Sequence, residues 1–327
     1  MICLGIESTA HTFGVGVVSS KKKVLADVRK MYWKEKGGII PVEAAGHHKR
    51  VAAQVIREAC LEAEGHGIRK VDVIAYSRGP GLSPSLHVGK NRAKALAEEM
   101  KVPFIGVNHP VSHLSSAHLF TKAKDPVYLY LSGANTQVIG LAGGKFRVFG
   151  ETLDVGLGNA LDKFGRSIGL GFPAGPQIEV LARDGSFVEL PYVVKGMDTS
   201  FSGLVTKVGL LYRQGVSKES LCFSFQETAF AMVTEVAERA LAHMQKNELV
   251  VIGGVAANKR LSQMLEMMCR DRGARCFVVP LKYAADNGVQ IAYQGLLEYQ
   301  AGRRDAAFDI RPYERTDDVE VTWSYEV

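Results

Sequence analysis

By residue type and spacing, the side chains best placed to do chemistry are His109 and His113, in the run Asn108-His109-Pro110-Val111-Ser112-His113. Residues four apart share one face of a helix, so a helical segment here would present both imidazoles together. A strand-like run at 102–107 precedes them. Pro110 suits a first helical turn, where its missing N–H costs no hydrogen bond. A histidine pair at such a strand-to-helix junction can hold one metal ion. Taken alone, the same spacing is more often structural than metal-binding. A zinc protease would need a glutamate directly after the first histidine, and Pro-Val-Ser stands between the two here, which excludes that chemistry.

The elements that must position these residues alternate between strand and helix along the whole chain, which predicts an α/β fold. Three strands at 2–7, 14–18 and 24–29, with a polar turn at 8–12, form a meander. Apolar Val51, Val55, Ile56 and Ala59 recur with a helical period and predict a helix over 42–64. A strand at 71–77, a Gly/Pro loop at 78–84 and a helix at 85–100 follow. The same order recurs later: strands at 127–132, 137–142 and 146–151, with turns at 132–136 and 142–145. A strand at 249–253, a helix at 258–273, a strand at 276–280 and a long helix at 286–301 complete the reading. Two meanders, each followed by helix–strand units, predict two ribonuclease-H-like domains facing a central cleft. The polar turns at 8–12 and 132–136 would point into it, and their N–H groups are natural phosphate cradles.

Composition narrows the function classes. Hydrophobic residues make up 46% of 327, enough for a core without disulfides. The five cysteines are scattered with no C-x-x-C pair, which argues against a disulfide framework or a thiolate zinc site. No apolar run approaches the length of a membrane span, and the start reads as a strand rather than a signal peptide, so a cytoplasmic protein is expected. The net charge of +6 is clustered, for example at Lys21-Lys22-Lys23 and Arg303-Arg304. Such clusters suit polyanions but are equally ordinary as solvated surface.

Several ordered motifs then carry a resemblance. They are Gly5-Ile6-Glu7-Ser8-Thr9, Arg78-Gly79-Pro80-Gly81-Leu82, the His109/His113 pair, Ser132-Gly133-Ala134-Asn135-Thr136-Gln137, Leu153-Asp154 and Gly158-Asn159-Ala160-Leu161-Asp162-Lys163. Further on stand Phe172-Pro173-Ala174-Gly175-Pro176, Ser200-Phe201-Ser202-Gly203-Leu204, Gly253-Gly254-Val255-Ala256-Ala257-Asn258 and Asp286-Asn287-Gly288. Together they resemble the actin, sugar-kinase and Hsp70-like ATPase superfamily. Within it they resemble the universal tRNA threonylcarbamoyladenosine transferase family, once described as glycoproteases. The ending from Ile310 to Asp317 is similar to the archaeal and eukaryotic branch, the catalytic subunit of the KEOPS complex. Ala134 and Ala174 stand where that family has glycine. If those positions needed positive φ, each methyl would cost about 1 kcal/mol.

The resemblance implies an N-terminal actin-like domain over 1–125 plus 302–327 and a nucleotide-binding one over 126–301. It implies one metal ion per subunit, held by His109, His113, Tyr130 and Asp286. Two imidazoles, a phenolate and a carboxylate suit iron or zinc better than magnesium. For Asp286 alone, a helix N-cap is the plain alternative, and for Tyr130 a core tyrosine. Tyr130, Ser132, Gly133, Ala134 and Asn135 are expected at phosphate or substrate, and Asp162, Gly175, Glu179 and Asn258 at ribose and base. Glu7 stands where kinase relatives have a catalytic acid, with a salt-bridged strand end as the alternative. His48 is a candidate substrate contact. The implied reaction moves the threonylcarbamoyl group from L-threonylcarbamoyl-adenylate to the exocyclic amine of the adenosine next to the anticodon in ANN-decoding tRNA; ATP or AMP would share the nucleotide site. No fused kinase-like domain is expected, so the resemblance implies a separate small kinase/ATPase partner and a small dimerising subunit. A phosphotransferase of the same fold and a non-catalytic ATP-binding scaffold are the rival readings.

Overall fold

The structure, a computed structural model, describes residues 1–33 and 39–325. It divides into two compact units. Unit 1 takes residues 1–120, 143–146 and 285–327, and unit 2 takes 121–142 and 147–284. Each is built around a five-stranded mixed sheet, so the expected α/β class with two ribonuclease-H-like domains holds.

In unit 1 the strands β1 (Ile2–Glu7), β2 (Thr12–Ser19) and β3 (Val24–Met31) form the expected antiparallel meander. After α1 (Pro41–Gly65), strand β4 (Val73–Gly79) pairs parallel to β1. After α2 (Ser83–Met100), β5 (Phe104–Asn108) pairs parallel to β4, which gives the order β3-β2-β1-β4-β5. Helix α3 (His109–Phe120) follows directly. Successive strand residues face opposite ways. Leu4 and Ile6 therefore join the core formed with Ala45, Ala52 and Val55 of α1, while Gly5 and Glu7 face the other side.

That other side is covered by α10 (Gly288–Gln300), which packs on β1, β2 and β4 and against α3. The approach is backbone against backbone. A Cβ on Gly5 would lie 2.1 Å from Ala292 N, one on Gly16 2.3 Å from Val289 N, and one on Gly288 2.1 Å from Gly16 N. The expected division placed 286–301 with the second domain; by its contacts this stretch groups with unit 1. The helix lies in unit 1 because its glycine partners are on β1 and β2. The helix also starts two residues later than expected. Its N-cap is Asn287, whose Oδ1 accepts from Gln290 N, so Asp286 is not the cap.

In unit 2 the strands β6 (Val127–Leu131), β7 (Thr136–Ala142) and β8 (Lys145–Glu151) match the second expected meander. The sequence reading placed no elements between 152 and 248. The structure has α4 (Leu157–Ser167), α5 (Gly175–Leu181), the short pair β9 (Val194–Lys195) and β10 (Asp198–Thr199), α6 (Ser202–Arg213) and α7 (Lys218–His243). Strand β11 (Glu248–Ile252) pairs parallel to β6. After α8 (Lys259–Asp271), β12 (Arg275–Val278) pairs parallel to β11, and α9 (Leu281–Ala284) closes the unit. The 26-residue α7 runs through the core, burying Phe225, Phe230, Val233 and Leu241. Gly253, just past β11, has φ +105°, and a Cβ there would sit 2.1 Å from Leu131 O; only glycine fits.

Helix α6 has no cap residue of its own. Asp154 supplies one from a distant loop: its carboxylate accepts from the N–H groups of Phe201 and Ser202, both at 3.0 Å, and from the hydroxyls of Ser200 and Ser202. Burial raises the pKa of Asp154, but these donors outweigh it and hold the carboxyl well below the usual range.

Two outcomes are expected. Gly5→Ala destabilises by about 3 kcal/mol in chemical unfolding, because no backbone atom of α10 can yield. Gly65→Ala, whose methyl meets nothing within 4 Å, stays within about 1 kcal/mol of wild type. The Asp154 contribution has a depressed folded pKa, so it is present above the unfolded value of about 3.9 and fades as pH falls below it. Asp154→Asn should be less stable than wild type at pH 7, and the gap should narrow below about pH 4.

Candidate metal centre

The candidate metal-centre residues of unit 1 are set by three neighbouring elements. Helix α3 begins at His109 because Asn108, ending β5, accepts from Val111 N through Oδ1 (3.1 Å). Asn108 is itself fixed by the C-terminal segment. Its Nδ2 donates to Glu314 Oε2 (3.2 Å), and the same carboxylate takes two bonds from Arg78 (3.0 and 2.8 Å). Helix α3 is buried yet rich in serine. Ser112 and Ser116 hydroxyls donate back to the carbonyls of His109 and His113 (2.6 and 2.8 Å), which satisfies them without outside partners. The expected face-sharing of His109 and His113 is present, with ring centroids 4.7 Å apart.

Asp286 comes from the approach to α10. Because Asn287 does the capping, the Asp286 carboxylate is free to face the histidines. Its Oδ1 lies 3.2 Å from His113 Nε2 and 3.4 Å from His109 Nε2, while the two Nε2 atoms are 3.2 Å apart. The backbone oxygen of Asp286 is held by Arg29 Nη1 of β3 (3.3 Å). Glu7, fully buried on the α10 side of β1, accepts from His109 Nδ1 through Oε2 (2.9 Å). Its Oε1 accepts from Thr9 N (2.6 Å) and from the Thr9 hydroxyl. The plain alternative for Glu7, an ion-paired strand end, describes its contacts, and the partner is a candidate metal ligand.

Burial works against charge on His109, but the Glu7 and Asp286 carboxylates overcome it and hold the imidazole well above its ordinary pKa. For His113 burial prevails over the pull of Asp286, and the pKa is lowered. Burial also opposes charge on Asp286, yet the two histidines bring its pKa well below the usual range. A positive charge is thus favoured on the His109 ring, which lies between the Glu7 and Asp286 carboxylates. Three donor atoms, one each from His109, His113 and Asp286, lie within 4.8 Å of one another. Glu7 on Nδ1 selects the tautomer that leaves His109 Nε2 free to ligate. This donor set fits a transition metal.

Gln290, not singled out from the sequence, also reaches this cluster: its Nε2 is 3.1 Å from His113 Nε2. The signal that could have found it is its place in the first turn of α10, close after Asp286 in sequence. His48, a candidate substrate contact, is fully buried instead. Its Nδ1 bonds the Ser8 hydroxyl (3.0 Å), which in turn donates to Ser85 O (2.8 Å). Burial pushes its pKa down to about 4, so it is a neutral structural group at physiological pH.

The remaining expected residues lie in unit 2. Tyr130 is on β6, buried, on the face opposite Val127, Leu129 and Leu131, which belong to the core. The turn after it is closed by Ser132 N donating to Asn135 O (2.9 Å) and by Ser132 Oγ accepting from Asn135 N (3.0 Å). It rests on the start of α4, where Gly158 N and Asn159 N donate to the carbonyls of Ser132 and Gly133 (3.2 and 2.9 Å). Asp162 Oδ1 accepts from Ala174 N (2.8 Å), just before Gly175, where an added Cβ would meet open space. Asn258 caps α8 through Leu261 N (3.1 Å) and donates to Gln226 (3.1 Å), and Glu179 accepts from Lys259 N (3.0 Å). Asp162, Glu179 and Asn258 therefore each have a structural task. Ala174 has φ −83°, and Ala134 is not among the residues with positive φ, so neither methyl strains the backbone.

Glu7→Gln should lower metal affinity roughly tenfold or more, the usual cost of losing a carboxylate behind a ligating histidine. Competition with a chromogenic chelator would read it.

The sequence model of the TsaD family, described as tRNA N6-adenosine threonylcarbamoyltransferase, matches residues 23–293. A tRNA N6-adenosine threonylcarbamoyltransferase of Thermococcus gammatolerans is 53% identical, with 99% of this chain and 100% of the relative covered. A protein named "probable bifunctional tRNA threonylcarbamoyladenosine biosynthesis protein" in Methanocorpusculum labreanum is 50% identical, over 99% of this chain and 61% of its own length. Among solved structures, HypF of T. kodakarensis aligns with a TM-score of 0.62 at 14% identity, covering 92% of this chain and 48% of that one. At that identity the likeness concerns the fold alone.

Proposed function

This chain belongs to the tRNA N6-adenosine threonylcarbamoyltransferase family, and from that premise we propose that unit 1 supplies a metal centre, and unit 2 a nucleotide-binding surface, for transfer to tRNA. The chain is a transferase of tRNA modification. The observation that supports the metal centre is the convergence of His109 Nε2, His113 Nε2 and Asp286 Oδ1, with Glu7 holding the first histidine from behind.

The donor is L-threonylcarbamoyl-adenylate, a mixed anhydride. The exocyclic N6 of an adenosine in the anticodon loop attacks the carbamoyl carbonyl carbon. The new C–N bond replaces the C–O bond to phosphate, AMP leaves, and the amine proton is given up to solvent or phosphate. An unpaired loop base suits this, since modification reads splayed nucleotides. A bound iron or zinc ion would supply Lewis acidity toward the donor. The chain's own residues supply position. His109 and His113 are locked on a buried helix, and Glu7 fixes the His109 tautomer. On the family resemblance, the turn at 132–135 and the residues at the starts of α4 and α8 would face phosphate and ribose. Most of the acceleration then comes from placement and fixed charge rather than from proton abstraction. Tyr130 stays in the proposal as a fourth donor on the family resemblance, and Ser132, Gly133, Ala134, Asn135, Asp162, Gly175, Glu179 and Asn258 as nucleotide or substrate contacts.

ATP or AMP would occupy the same nucleotide site. A small kinase/ATPase and a small dimerising subunit of a KEOPS-type complex are the proposed protein partners; the fusion named in Methanocorpusculum labreanum, of which this chain covers 61%, is compatible with such an association. A cytoplasmic location belongs to the same proposal; among the described residues no helix is long and apolar enough to cross a membrane.

The test is a transfer assay with threonylcarbamoyl-adenylate and ANN-decoding tRNA, run with the chain alone and with its partner proteins. Wild type should form modified adenosine, and His109→Ala should lose about a hundredfold or more in rate, the scale of removing a group that stabilises developing charge. A His109→Ala protein that matches wild type in the presence of partners would favour the scaffold reading.

A further inference from the structure

We propose that Gln290 is a further residue of the metal centre, whose side-chain amide, placed against His113 Nε2, turns its carbonyl oxygen toward the ion when one binds. The inference rests on the metal-centre reading above and extends it to a residue outside the expected ligand set.

His113 Nε2 is overcrowded. Gln290 Nε2 lies 3.1 Å away, Asp286 Oδ1 3.2 Å and His109 Nε2 3.2 Å. A ring nitrogen offers one lone pair or one proton, so it can serve only one of these three neighbours. Which neighbour it serves depends on the ring's tautomer, and in either tautomer the Gln290 amide nitrogen stands 3.1 Å from the atom an ion would claim. An ion claiming that lone pair would leave the amide hydrogens directed at a cation, inside a site where Gln290 is fully buried. Rotation about the last side-chain bond exchanges the oxygen and nitrogen of an amide with little change in volume. It brings a neutral carbonyl oxygen to the same place.

The surroundings set the cost of that rotation. The backbone of Gln290 is pinned independently, since its N–H donates to Asn287 Oδ1 (3.0 Å). The rotation exchanges the 3.3 Å bond from Asn287 Nδ2 to Gln290 Oε1 for two amide nitrogens facing each other, a cost the ion–oxygen contact has to exceed, while Asn287 Nδ2 keeps its 2.7 Å bond to Ala285 O. One turn along α10, Gln294 instead directs its amide to Glu298 (2.6 Å). Gln290 is thus the α10 glutamine whose amide reaches the histidines. A carbonyl oxygen is a weak, compatible extra donor beside two imidazoles and a carboxylate.

The test compares wild type, Gln290→Leu and Gln290→Glu for zinc and cobalt(II) affinity by chelator competition. The cobalt(II) absorption spectrum and the thermal unfolding of each metal-free protein are recorded as well. Gln290→Leu should bind about tenfold more weakly. Gln290→Glu, with a charged oxygen in place of the amide, should bind about tenfold more tightly and shift the cobalt spectrum. A purely structural glutamine would lower the metal-free melting temperature in both variants and leave affinity and spectrum unmoved, which would overturn the inference. Weaker binding by Gln290→Glu would overturn it too. Wild type that binds neither ion would instead overturn the metal-centre reading itself, a distinct failure.

Discussion

The close seating of α10 on the sheet of unit 1 is the constraint on which the candidate metal centre depends. Glycines at positions 5 and 16 remove the side chains that would hold the helix off, and Gly288 removes the one that would project from the helix toward β2. The helix backbone therefore descends to the level of the strands. That depth brings Asp286 and Gln290 to α3 and leaves room beside them for Glu7, which emerges from the same face of β1. A helix held off the sheet by apolar side chains would carry these groups out of reach.

Within that setting the electrostatics are arranged for position rather than for stability. Buried ion pairs stabilise little once desolvation is counted, and a buried charge without its partner is costly. Glu7 is anchored by Thr9, and it holds His109. Asp286 is anchored through its backbone by Arg29, and it faces both histidines. The C-terminal segment reaches the same point by another route, as Arg78 and Glu314 hold Asn108, which starts α3. The motifs at 5–9, 78–82 and 310–317 are distant in sequence and meet in one support for the histidine helix.

Much of this was legible in the sequence where the signal was local. The meanders, the α1 helix and the His109/His113 face followed from period and from Pro110, and they stand where they were expected. What was not legible depended on partners far away in sequence. The assignment of α10 to unit 1 is decided by glycines almost three hundred residues earlier. Asp286 looked like a helix cap because the true cap, Asn287, is its neighbour and has the same chemistry. Helix α7 escaped because it is buried on most sides, which erases the amphipathic stripe that marks a surface helix; only the Ser217 cap advertised it. The tasks of Asp162, Glu179 and Asn258 in holding α8 and the 174 backbone could not be separated by sequence from contacts with a nucleotide. The family resemblance supplied what local pattern could not, namely that Asp286 belongs with the histidines.

The central claim is that His109 and His113 together ligate one metal ion in the folded chain. X-ray absorption at the zinc edge of the zinc-loaded protein tests it most directly. The account predicts one ion per chain, with the multiple-scattering signature of two imidazoles among nitrogen and oxygen neighbours. A spectrum of oxygen neighbours without imidazole, or one unchanged when both histidines are replaced, would contradict it.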